Sequence, residues 1–269
     1  MFARSRLIGT VLVALTIGAL IMSSCASSPS NPASVTAPSD NKPYGSLVVS
    51  AGFGTGAIDP LLSSSDTFMG IGQAIFDTLL NYDANDVLGA GIAERWDVAP
   101  DGMSHTYYIR KGVKFHDGSD LTAADVKFSM DRMLAPDSVA QTYAALYRGA
   151  LASVDVKDDY TVIFRFKAPQ FEPLTYMDSG MTAVMPKKYI QEKGVDYFQK
   201  HPIGSGPWKL TSFELGNRMD LEAVENHWRA TPKFKNVTLL NVKEESTAVA
   251  MVKTGELDMA MVGSDAAAS

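Results

Sequence analysis

The chain has 269 residues, 46% hydrophobic and 20% charged, an ordinary globular composition with enough apolar content for a substantial core. Its formal net charge is −6, and the first 24 residues hold Arg4 and Arg6 without an acid, which leaves −8 for the rest. An acidic chain with no Lys/Arg run does not suit phosphate backbones, and this excludes nucleic acid as a partner.

Residues 1–24 read as a signal peptide: Arg4 and Arg6 precede an uncharged apolar stretch, Leu7 to Met22. A membrane-spanning anchor is the alternative. The run is short against the about 20 residues that a span needs, and Thr10, Thr16 and Gly18 dilute it. Cys25 is the only cysteine, so no intramolecular disulfide can form. A lone Cys directly after an apolar stretch resembles the lipobox of bacterial lipoproteins, with Met22 where that motif usually has Leu. The resemblance implies a lipidated Cys25; plain signal cleavage with an incidental Cys25 is the other reading. Residues 25–44, rich in Ser, Pro, Asn and Ala without an apolar period, read as a disordered tether. The folded part is then 45–269.

Ser46 to Ala51 is β-rich and predicts a buried strand. Gly52, Gly54 and Gly56 follow, but the cluster fits neither GxGxxG nor the Walker pattern, and reads as a loop. Ser65 or Asp66 caps a helix with Phe68, Ile71, Ile75, Phe76 and Leu79 at helical spacing. Ala93–Val98 and Ser104–Arg110 predict a hairpin across Pro100-Asp101-Gly102, where Pro presets φ and Gly accepts φ > 0. Lys111-Gly112 and Asp117-Gly118 are further turns. Thr122 with Asp125 three residues on forms an acidic variant of the capping box. It opens a helix to about Leu134 with Ala123, Val126, Met130 and Met133 on one stripe, stopped by Pro136. Phe128 lies off that stripe and needs a second apolar neighbour.

Val154 to Phe166 predicts a second hairpin, turning at Asp158-Asp159. Met181–Met185 is expected as a short strand, and Pro186 as the first residue of the next helix. Pro202 to Trp208 forms a rigid turn into a strand pair, Lys209–Glu214 and Arg218–Val224. Val237–Val242 is a strand. Glu245–Thr254 is a helix with Ala248, Val249 and Val252 inward and Gly255 at its C-cap. Glu256–Val262 returns as a strand.

Trp96 to Arg132 closely resembles the segment W…DG…Y…LR.GV.FHDG..LTA.DV.FS of family 5 extracellular solute-binding proteins, the peptide- and nickel-type receptors of ABC importers. Ile109 stands where that family often has Leu. Gly204-Ser205-Gly206-Pro207-Trp208 resembles a second block of the family, with Ser205 and Trp208 as substitutions, and Gly255-Glu256-Leu257-Asp258-Met259-Ala260 resembles a third. The resemblance implies a mixed α+β fold of the α/β class, periplasmic-binding-protein-like type II. Family members are roughly twice this length, so residues 45–269 are expected to be an incomplete lobe one, with the second lobe missing.

Histidines 105, 116, 201 and 227 stand in no HExxH or His/Cys pattern, so no metal site is expected. His116-Asp117 resembles an acid–base pair but sits in a glycine turn, which favours a structural role. No GxSxG is present, and no catalytic residue is assigned. The resemblance implies instead a non-enzyme without cofactor. It captures a small solute, an oligopeptide or dipeptide first, and delivers it to a membrane permease driven by its ATPase. It implies export, with the protein periplasmic or lipid-anchored at the outer face of the cytoplasmic membrane. By the same resemblance, ligand meets Phe53 and Thr55 after the first strand, Ser179, Gly180 and Met181 before the Pro186 helix, and Gly263 at the last strand's exit. Asp178 is the nearest acidic candidate. A secreted hydrolase and a surface sensor or adhesin are the other classes.

Overall fold

The computed structural model describes residues 42–52, 58–62, 66–82, 85, 87–138, 140–174 and 182–263. The expected leader, Cys25, most of the tether, the glycine cluster from 53 onward and the last six residues lie outside the described ones, as does the side chain of Phe68. The elements are β1 (Tyr44–Ser50), α1 (Asp66–Ile75), β2 (Leu80–Tyr82), β3 (Leu88–Ala90), β4 (Ala93–Val98), β5 (Ser104–Ile109), α2 (Ala123–Leu134) and α3 (Gln141–Ala150). They continue with β6 (Leu151–Asp158), β7 (Thr161–Phe166), α4 (Lys187–Lys193), α5 (Val195–Lys200), β8 (Trp208–Glu214), β9 (Arg218–Ala223), β10 (Phe234–Leu240), α6 (Glu245–Thr254) and β11 (Met259–Ala260). A 3-10 turn covers Pro60–Leu62.

Two larger sheets, mixed with helices as expected, carry the fold beside a small antiparallel pair, β2-β3. The first is antiparallel throughout, in the order β4-β5-β7-β6. Its period-2 pattern puts His105, Tyr107 and Ile109 of β5 and Val162, Phe164 and Phe166 of β7 on one buried face. There the rings meet edge to face: Tyr107 and Phe164 at 5.0 Å, His105 and Phe166 at 4.6 Å. Val126, Met130 and Met133 of α2 are buried in the same core, and Phe128 finds its apolar neighbours at that core's margin. The Pro-Asp-Gly turn forms as expected, with the Gly102 N–H donating to the Ala99 carbonyl at 2.8 Å.

The second sheet runs β11-β1-β10-β9-β8. Here β1 lies parallel to both of its neighbours, while β10, β9 and β8 form an antiparallel meander. Tyr44 already pairs with Phe234, so the strand begins before Ser46.

Four local expectations are corrected. Phe76 and Leu79 are buried but lie beyond the helix, because α1 ends at Ile75, whose carbonyl accepts the Gly206 N–H. Residues 182–185 make one bridge, Thr78 with Ala183, rather than a strand; the next amides are taken by the Asp77 carbonyl and the Ser129 hydroxyl. The strand expected over 256–262 shrinks to Met259–Ala260, because Glu256 and Leu257 donate to Met251 in capping α6. Val252 is exposed, since α6 turns Ala248 and, in part, Met251 toward the protein.

Candidate functional site

The three parallel strands β10, β1 and β11 end on the same side of the second sheet. Ala51 donates to the Leu240 carbonyl at 3.0 Å, and Met261 to the Ser50 carbonyl at 3.3 Å. The Gly263 N–H reaches Glu245 Oε1 at 3.2 Å, at the start of α6. Chain exits from β1, β10 and β11 are thereby held side by side. In open α/β sheets the crevice outside the carboxyl ends of the strands is the usual ligand position. Asp258 secures this edge where the ladder is short: its N–H donates to the Val48 carbonyl and its carboxylate accepts the Val48 N–H at 2.7 Å.

Helix α2 holds the chain on either side of it. Its first turn is closed by Asp125, whose Oδ2 accepts both the N–H and the hydroxyl of Thr122 at 2.9 Å. The other oxygen, Oδ1, accepts the Lys187 N–H at 3.0 Å, so one carboxylate satisfies the first turns of α2 and α4. One turn further along, the Ser129 hydroxyl accepts the Met185 N–H at 2.7 Å. Arg132 then forks onto Asp59, at 3.0 Å to Oδ1 and 2.5 Å to Oδ2. Asp59 is fully buried and also accepts from the Leu61 N–H and Gln199 Nε2. A buried carboxylate needs this many donors, since its desolvation would otherwise outweigh the ion pair. The positions 125, 129 and 132 share one face of the helix, and each takes a partner outside it.

Two histidines clamp the Gly204-Ser205-Gly206 segment. His116 Nδ1 accepts the Gly204 N–H at 3.2 Å, so its proton lies on Nε2, which donates to the Gly206 carbonyl at 2.9 Å. Burial lowers the His116 pKa from 6.5 to about 4; the Gly206 bond opposes the shift and Lys209 adds to it. His227 donates from Nε2 to the Ser205 carbonyl at 2.8 Å, and the same nitrogen lies 3.4 Å from Asp77 Oδ2. Asp77 also takes Trp228 Nε1 and Arg229. Both histidines are thus committed to backbone carbonyls, as the structural reading of His116 expects. His105 is likewise spent, on the Gln170 carbonyl. No group of His, Cys, Asp and Glu among the described residues is arranged to hold a metal ion.

Of the residues expected to meet ligand, Gly263 is described and lies at the sheet's carboxyl edge. Phe53, Thr55, Ser179, Gly180, Met181 and Asp178 lie outside the described residues. Sequence reasoning missed the Asp59–Arg132 pair and the β10 exit at Asn241. A charged Arg132 beside the apolar stripe of α2 was the available signal for the first.

Residues 88–269 match the model of the bacterial extracellular solute-binding proteins, family 5 Middle, and the chain belongs to this family. It is 30% identical over 223 residues to the glutathione-binding protein GsiB of Salmonella choleraesuis (strain SC-B67), covering 75% of this chain and 43% of that one. Among solved structures it is similar to the oligopeptide-binding protein AppA of Bacillus subtilis in complex with a nonapeptide. That match has a TM-score of 0.70 and 29% identity, over 81% of this chain and 44% of the other. The periplasmic binding protein DppA of Helicobacter pylori, in complex with peptide STSA, shares the fold with a TM-score of 0.73 and 24% identity, over 81% and 46%. The chain spans less than half the length of these relatives. Proteins of this family bind solutes; they are not enzymes.

Proposed function

We propose that the chain is part of the solute-binding component of an ABC importer, which captures a small peptide or glutathione-like solute outside the cell and passes it to a permease and its ATPase. Family membership over residues 88–269 carries this reading. The named ligands of GsiB and AppA favour a peptidic solute. In this reading Phe53, Thr55, Ser179, Gly180, Met181 and Gly263 contact the solute, and a second lobe closes over it by a hinge. Cys25 carries lipid and holds the receptor at the outer face of the membrane, with residues 26–43 as its tether; Tyr44 already belongs to β1. One lobe leaves a face of the solute in water, so this chain alone binds weakly.

The test therefore has to read weak binding. Amide chemical shifts of the 269-residue chain are followed while glutathione and a nonapeptide are added to millimolar concentration. Shifts confined to residues 50–60, 175–187, 241–245 and 261–263, with the probe intact by mass spectrometry, are expected. Hydrolysis of either probe, or shifts centred on the antiparallel sheet, sinks the reading.

A further inference from the structure

Arg132 touches two segments far apart in the sequence. Its guanidinium takes both oxygens of Asp59, and its Nη1 lies 3.0 Å from Met185 Sδ. Met185 is fully buried, and its N–H is held by Ser129, one turn earlier on the same helix. Asp59 lies in the segment 58–62 and Met185 in 182–187. In sequence these directly follow residues 53–57 and 175–181. The side chain of Arg132 is mostly buried, so little water is at hand to replace either partner if one moves away. Displacing Asp59 would leave a buried cation without its counter-charge, and swinging Arg132 to follow it would withdraw it from Met185.

We propose that Arg132 is a positioning residue that couples segments 58–62 and 182–187, so that loosening either one loosens the other. The consequence for solute rests on the receptor reading: a solute that steadies residues 58–62 would favour the same in residues 182–187. The coupling itself does not need that reading, and its test uses no solute. Coupling between two sites is reciprocal, which makes it measurable from both sides.

Hydrogen exchange is measured on the full chain. Ser129→Ala removes the acceptor of the Met185 N–H, and the amides of Ile58, Leu61 and Leu62 are read. Asp59→Asn weakens the ion pair, and the amides of Val184, Met185 and Lys187 are read. The expected result is exchange faster by about tenfold at the far segment in both variants, the size that loss of one buried hydrogen bond gives. The amides of Tyr107, Val162 and Phe164 stay protected, which separates coupling from global destabilisation. Gln199→Met, which removes one neutral donor from Asp59, serves in place of Asp59→Asn if that variant does not fold. In an Arg132→Lys background each cut is expected to act on its own side alone. Far-segment exchange that is unchanged when Arg132 is present, or equally raised in the Arg132→Lys background, overturns the coupling.

Discussion

The two sheets bury their residues differently. In the antiparallel sheet, β5 alternates throughout and β7 from Val162 on, and Tyr107, Val162 and Phe164 lose all contact with solvent. In the mixed sheet, β1 is buried only toward its carboxyl end, and near its far edge Met259 and Met261 stay 52% and 67% exposed. The first sheet is a core with a covering helix. The second is open at the β11 exit, at Met259 and Met261, while β1 and β10 are buried toward their carboxyl ends. Stability resides in one and availability in the other, a division expected where a rigid scaffold carries a binding edge.

The severest break is at the joint between the two. Gly204 backs onto the end of α1, and a Cβ there would stand 2.1 Å from the Ile75 carbonyl oxygen, backbone that cannot step aside. Gly204→Ala is expected to lose about 4 kcal/mol or more, or to leave the chain insoluble. Urea denaturation reads it, and an unchanged midpoint would mean the joint is loosely packed.

The sheets are next compared directly. Phe164→Ala opens a cavity in a sealed core and is expected to cost about 3–5 kcal/mol. Met259→Ala, on the open edge, is expected to stay within about 0.5 kcal/mol. Similar losses for both would erase the distinction.

The histidine clamp gives a pH dependence with a definite sign. The folded-state pKa of His116 lies near 4, below the 6.5 of an unfolded histidine, so the unfolded chain binds the proton more readily. Its contribution is fully present above pH 6.5, falls as pH drops toward 4, and levels off below that. The loss is at most about 3 kcal/mol. His116→Gln keeps a polar side chain but cannot titrate. The difference between its unfolding free energy and that of the wild type, measured from pH 7 to 4, should change along this window. A flat difference would show that His116 titrates alike in both states.

These contrasts also mark what the sequence disclosed. Both hairpins and α2 with its cap were legible because turn residues and periodicity act within about ten residues of each other. The pairing of β1 with β10 joins Tyr44 to Phe234, and no local pattern specifies such a partner. The Asp59–Arg132 pair, the clamp on Gly206 and the shared carboxylate of Asp125 were hidden for the same reason: each is a long-range partner choice. The expected ligand residues rest on resemblance, and Gly263 alone among them falls within the described structure.

The smallest contrast uses two glycines with nearly the same backbone, one in each region. Gly45 in β1 has φ +63° and Gly102 in the hairpin turn has φ +67°. Alanine pays the left-handed penalty at both, roughly 1 kcal/mol. Their surroundings differ. A Cβ at Gly45 meets nothing within 4 Å, whereas at Gly102 it meets the Gln170 nitrogen and the Phe171 ring at 3.1 Å. The ring is an exposed side chain and can swing away, but Gln170 donates its N–H to the Gly102 carbonyl and is held close. Gly102→Ala is therefore expected to lose about 2 kcal/mol against about 1 kcal/mol for Gly45→Ala. Thermal unfolding of the two variants side by side measures the difference. Equal losses would mean that the turn relaxes around the new methyl group, and that the antiparallel region is no tighter at its tip than the open sheet is at its first strand.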